Sequence, residues 1–129
     1  QREVAERILA GPNRMNRLAA SIRFWAEPEI RGVISKSSFI PPPEVDSAVL
    51  VLRALPQKAA DAARAYELAL KALFRQPRKT ILNNLRAALF GSVSPETMEQ
   101  KLQGLGLAPK ARPQNLSVGD IQKIASLLF

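Results

Sequence analysis

The run FIPPPEVDSAVLVL, residues 39–52, constrains this chain more than any other stretch. Each proline fixes its own φ and removes a backbone donor, and the residue before it is driven toward extended geometry. Val49 to Leu52 requires the opposite, a paired strand, and its unbroken aliphatic character is that of a strand covered on both faces. A stiff proline loop therefore braces the start of an interior strand, SAVLVLRAL. The other strand candidate is EIRGVIS, in which Gly32 is the weak point. An isolated two-stranded pair is marginal in water. Most of the sheet that residues 47–55 are suited to is therefore expected outside these 129 residues.

The remaining segments read as helices. QREVAERILA sets Val4, Ile8 and Leu9 at helical spacing and ends at Gly11-Pro12. RLAASIRFWA aligns Leu18, Ile22 and Trp25 on one stripe, and Pro28 stops it. Beyond Leu55-Pro56, AADAARAYELALKALF is rich in strong helix formers. RKTILNNLRAALF carries a stripe of Ile81, Leu82, Leu85, Ala88 and Leu89, followed by Gly91 as a C′ residue. Ser94-Pro95 supplies an N-cap and an N1 proline, with Val93 and Met98 placed to staple the turn. Ser117 repeats that pattern with Leu116 and Ile121, Asp120 lies in the first turn, and Ile124, Ala125 and Leu128 face inward. The expected fold class is α+β. Residues 1–56 contribute helices and an antiparallel strand pair, and residues 57–129 form a small all-helical unit.

Charge and composition narrow the function. The chain has no cysteine and no histidine, which removes disulfides, thiol nucleophiles, Ser-His catalysis and the usual zinc ligand sets. No apolar stretch approaches membrane-spanning length and Gln1 opens no signal peptide, so a soluble cytoplasmic protein is expected. Nineteen Lys and Arg oppose eleven Asp and Glu, a net charge of +8. Residues 57–129 carry +6 of it, which points to a polyanionic partner or to simple solubility. In FRQPRKTILNNL, Arg75, Arg78 and Lys79 cluster where a helix is expected to begin, with Gln76 and Pro77 in its first positions. Free N–H donors and the dipole end there attract phosphate, so RNA contact is favoured. Phe39, beside Pro41 and Pro42, fits either a core ring or a ring held at a cleft to stack on an extruded base. RPQNLSVGDI is a capping signature. GLGLAP is a helix exit rather than a dinucleotide fingerprint, because no strand precedes it.

Taken together, QREVAERILAGPN, SSFIPPPEVDSAVLVL, FRQPRKTILNNL and PQNLSVGDIQKIA resemble the bacterial small-subunit ribosomal RNA adenine dimethyltransferases, the KsgA (RsmA) family, in order and approximate spacing. The resemblance implies a Rossmann-like methyltransferase domain, represented here by its C-terminal part in residues 1–56, followed by an RNA-recognition domain in residues 57–129. It implies transfer of methyl groups from S-adenosylmethionine to the N6 amines of two adjacent adenosines of small-subunit ribosomal RNA. The family's glycine-rich cofactor loop and Asn-Leu-Pro-Tyr segment have no counterpart here, so neither catalytic residues nor a bound cofactor is expected. The resemblance places Phe39, Pro41 and Pro42 at the target-base pocket and makes Arg17, Arg75, Arg78, Lys79 and Arg86 candidates for RNA contact. Two departures stand out: Pro77 occupies the place of the first arginine of a basic triplet, and MNRLAAS keeps Arg17 and Leu18 but lacks the usual aromatic. A non-catalytic RNA- or ribosome-binding module, or a macrolide-resistance type of large-subunit RNA methyltransferase, are the alternatives. Self-association through an exposed strand edge in residues 46–54, or disorder in residues 1–35, is the expected consequence of the missing sheet.

Overall fold

The computed structural model describes all 129 residues. Its elements run α1 (Arg2–Ile8), α2 (Arg17–Arg23), β1 (Ala26–Ile34), a 3-10 turn (Lys36–Ser38), β2 (Ser47–Ala54), α3 (Ala60–Leu73), α4 (Ile81–Ala88), α5 (Pro95–Gly104), a 3-10 turn (Pro113–Asn115) and α6 (Val118–Leu128). The fold is thus mixed, with one antiparallel strand pair and six α-helices. Residues 1–35 hold α1, α2 and β1.

The sheet departs from expectation in two respects. β1 begins at Ala26, not at Glu29, and Pro28 lies inside it opposite Leu52. In a two-stranded sheet each strand has one free edge, and a proline is tolerated where no ladder donor is required. α2 accordingly ends at Arg23, before any proline could stop it, and buries Ala19 and Ala20 instead of the expected stripe. Trp25 is half exposed. The register slips between Ile30 and Gly32, so the weak point expected at Gly32 appears as a bulge. The second departure is burial. β2 was expected to be covered on both faces, yet none of its residues is fully buried, and Val49 and Leu52 are nearly half exposed. β1 is its single neighbour. Val33, Ile34 and Leu55 are likewise exposed, as are Val4 and Leu9 on α1.

The main core is helical and crosses Pro56. Met15, Ala19, Ala20 and Phe24 join residues of α3, α4, α5 and α6 in one cluster that includes Leu73, Ile81, Leu85, Met98, Leu102, Ile121 and Ile124. Each fully buried Leu or Ile contributes roughly 1.5–3 kcal/mol relative to exposure. The Tyr66 ring stacks on Phe24 at 3.9 Å between centroids, and its hydroxyl donates to the Ala20 carbonyl at 2.9 Å. Burial pushes the Tyr66 phenol well above its ordinary range. A second tie is made by Asn13, which adopts a left-handed φ of 71° and accepts from the Asn115 amide at 3.1 Å. The Met15 N–H donates to the Gln114 carbonyl at 3.1 Å beside it. RPQNLSVGDI therefore does more than cap a helix: it also fastens the last helix to the segment before α2.

The N-terminal capping expectations hold, whereas Gly91, expected at C′ of α4, falls one residue further on because Leu89 is the C-cap. Ser94 Oγ accepts from Thr97 N–H with Pro95 at the helix start, and Met98 behind it is fully buried. Ser117 and Asp120 form a reciprocal capping box, and Leu116 and Ile121 are buried around it. Such a cap contributes on the order of 1 kcal/mol.

Candidate nucleic-acid interface

The expected basic cluster does not lie in the first turn of a helix. α4 starts at Ile81 with Thr80 as its N-cap, the Thr80 hydroxyl accepting from Asn83 N–H at 3.2 Å. Arg75, Gln76, Pro77, Arg78 and Lys79 form the loop between α3 and α4, and all five are exposed. The reason is local. Pro77 disfavours helical geometry at Gln76, and the threonine offers a better cap than any residue before it.

What shapes this loop is Asn84, the one buried polar side chain of the protein, at 3% exposure. Its Oδ1 accepts from Gln76 N–H at 3.0 Å, and its Nδ2 donates to the carbonyls of Gln76 at 3.0 Å and Thr80 at 3.1 Å, with Lys79 at 3.4 Å. The loop is pinned from within by one amide while its cations point to solvent. Asn84 was not singled out from the sequence, where it reads as one of a polar pair interrupting an apolar stripe. Its burial is the missing member of that stripe: Asn84 is inside with Ile81 and Leu85, and Ala88 is exposed instead.

The opposite face of α4 carries Asn83, Arg86 and Ala87, all exposed. With Gln76, Lys79 and Phe90 they line one shallow open depression of about 440 Å³. Lys79 and Arg86 are thus brought together, and Arg75 and Arg78 lie on the same loop as Lys79. Residues 68–95 contain five cations and no acid. Lys71 is paired with Glu67 at 2.8 Å, which holds the Glu67 carboxyl below its usual range through that hydrogen bond. None of the ion pairs in the protein involves Arg75, Arg78, Lys79 or Arg86. Four unpaired cations within an acid-free stretch of the chain suit a run of phosphates.

The other candidates lie elsewhere. Arg17 borders a cleft between α2 and α3 with Ser21, Trp25, Arg64 and Glu67. Phe39, Pro41 and Pro42 are exposed on the loop between β1 and β2, beyond the end where Ile34 pairs with Ser47. α2 and α3 join the sheet at the opposite end, where Ala26 pairs with Ala54. Along a strand that is roughly 25–30 Å away. The proline loop is nevertheless built. Asp46 Oδ1 accepts from Lys36 N–H at 3.0 Å, Arg2 N–H donates to the Asp46 carbonyl at 3.0 Å, and the Arg2 guanidinium approaches its carboxylate at 3.9 Å. Phe39 is 39% exposed, which sets it apart from a core ring. No group of three or more carboxylates is disposed to hold a metal, and no helix is long and apolar enough to cross a membrane.

The family described as ribosomal RNA adenine dimethylase matches residues 1–128. Proteins called ribosomal RNA small subunit methyltransferase A are 38% identical over 133 residues in Shouchella clausii and 32% identical over 134 residues in Geobacillus thermodenitrificans. Each match covers the whole of this chain and, respectively, 45% and 46% of the relative, so the chain spans about half the length of these proteins. Among solved structures, a dimethyladenosine transferase from Plasmodium falciparum superposes with a TM-score of 0.77 at 22% identity, over 95% of this chain and 53% of that one. The 23S rRNA methyltransferase ErmE gives a TM-score of 0.61 at 22% identity, over 90% and 47%. Both likenesses are of fold. With the match running from the first helix to the last, the chain belongs to the ribosomal RNA adenine dimethylase family.

Proposed function

We propose that this chain is the RNA-recognition part of an S-adenosylmethionine-dependent ribosomal RNA adenine N6-dimethyltransferase acting on small-subunit RNA in the cytoplasm. The observation that carries the reading is a set of four cations without acidic partners, Arg75, Arg78 and Lys79 on a loop fixed from inside by Asn84 and Arg86 on the helix that follows it. The small-subunit assignment is supported by the names of the more similar relatives, against 22% identity to the large-subunit enzyme. In this reading residues 57–129 are the RNA-facing unit, seated on α2 through the shared core. Residues 1–56 belong to the methyltransferase domain, whose proline loop presents Phe39 to the target base.

The cofactor does not fit the residues present. A dinucleotide-type site needs glycines that let backbone approach a ligand and an acidic residue for a ribose. The one connection from a strand to a following α-helix, residues 55–59 between β2 and α3, contains no glycine, and no Asp or Glu residue is fully buried. No catalytic step is therefore assigned to this chain. Titrating the 129-residue protein calorimetrically with S-adenosylmethionine is expected to give no binding heat, while small-subunit RNA binds. Micromolar cofactor affinity would contradict this division of labour.

The uncovered sheet supports a second expectation. Val33, Ile34, Val49 and Leu52 leave an apolar surface that a larger sheet and its helices would cover in the whole enzyme. Alone, the chain is expected to self-associate through residues 46–54. Light scattering should then give a mass above the monomer that falls when Val49 and Leu52 are replaced by lysine; a monomer at high concentration would refute it.

A further inference from the structure

Phe90 is 92% exposed, the most exposed aromatic ring of the protein. Its position has a backbone cause. The Ser92 N–H donates to the Leu89 carbonyl at 3.0 Å, and Gly91 follows Phe90 with φ at +82°. A turn whose third residue takes positive φ is one that glycine supplies without strain, and it thrusts the second residue outward at the corner. The ring thus stands at the C-terminal end of α4, on the same face as Asn83, Arg86 and Ala87, and borders the depression that Lys79 and Gln76 complete. An isolated exposed phenylalanine means little. One beside two unpaired cations and two side-chain amides combines the parts of a nucleotide site: an aromatic platform, phosphate partners and donors and acceptors for a base edge.

We propose that this depression holds one unpaired nucleotide of the bound RNA, its base stacked on Phe90 and its flanking phosphates on Lys79 and Arg86. Asn83 and Gln76 supply hydrogen bonds at the base edge. The inference rests on the RNA-binding reading above and adds to it a requirement for single-stranded character at this point. A duplex offers phosphates to the cations but no free base face to the ring.

The test uses the 129-residue chain, a fluorescein-labelled single-stranded oligoadenylate of about ten nucleotides, and an abasic oligomer of the same length. The unsubstituted protein should bind the base-containing probe about tenfold more tightly than the abasic one. Phe90→Ala should abolish that difference and leave the salt dependence unchanged, and Phe90→Trp should restore it. Because the ring is almost fully exposed, Phe90→Ala is not expected to unfold the protein. Salt-dependent binding with no loss in Phe90→Ala would overturn the stacking site and leave the basic surface standing. No salt-dependent binding of either probe would overturn both.

Discussion

Asn84→Ala is expected to lower stability by about 2–3 kcal/mol and to weaken RNA binding, although Asn84 itself touches no solvent. Removing the amide leaves the Gln76 N–H without a partner in a partly buried setting, while the carbonyls of Gln76 and Thr80 keep only their backbone bonds from Lys79 and Asn84 N–H. Each buried group left unsatisfied costs roughly 1–3 kcal/mol, and the small void adds to that. Asn84→Asp keeps an acceptor for Gln76 but sets a carboxylate oxygen against the carbonyl oxygens of Gln76 and Thr80, which repel it, so it should be no milder. Urea titration would read the effect as a lower midpoint at unchanged slope. An unchanged midpoint would mean that the amide does not hold the loop.

The second large effect concerns the surface that Asn84 positions. Replacing Arg75, Arg78, Lys79 and Arg86 together with glutamine is expected to reduce RNA affinity about a hundredfold near physiological salt. Four phosphate contacts release counterions, and the corresponding factor at roughly 0.15 M is of order 10² for single strands. Folding should be undisturbed, because all four side chains are exposed and none forms an ion pair. Arg17, in the separate cleft between α2 and α3, serves as the comparison: Arg17→Gln should have the smaller effect. Equal losses from Arg17→Gln alone and from the fourfold variant would move the interface to that cleft.

The elements legible in the sequence were those with local causes. Ser94-Pro95 and Ser117 with Asp120 fix helix starts through bonds between residues three apart, and both appear as expected. The aliphatic run behind the prolines formed its strand, and Gly32 marked the bulge in the partner strand β1. Where tertiary context decided, the local reading failed. Pro28 reads as a helix stop but sits in a strand whose free edge tolerates it. Ala19 and Ala20 outrank Leu18 and Trp25 in burial because α2 lies close against α3. The core shared across Pro56 depends on pairs such as Tyr66 with Ala20 and Asn13 with Asn115, far apart in sequence, which no periodicity reveals.

The basic residues of the site were legible as composition, but their setting was not. Thr80 takes the cap, so the cations occupy a loop rather than a helix start. Asn84 and Phe90 carry the reverse surprises, a polar side chain inside and an aromatic one outside. A signal for the first was present: Asn84 falls three residues after Ile81 and one before Leu85, on the inward stripe. For the second, the glycine after Phe90 was the cue, read only as a helix terminator.

The most direct measurement is the salt dependence of RNA affinity for the 129-residue chain and its fourfold glutamine variant. A straight line of log affinity against log salt is expected, with a slope near −3 for a single-stranded probe from about four phosphate contacts, collapsing toward zero in the variant. A flat line for the unsubstituted protein, or the same steep line for both, would contradict it.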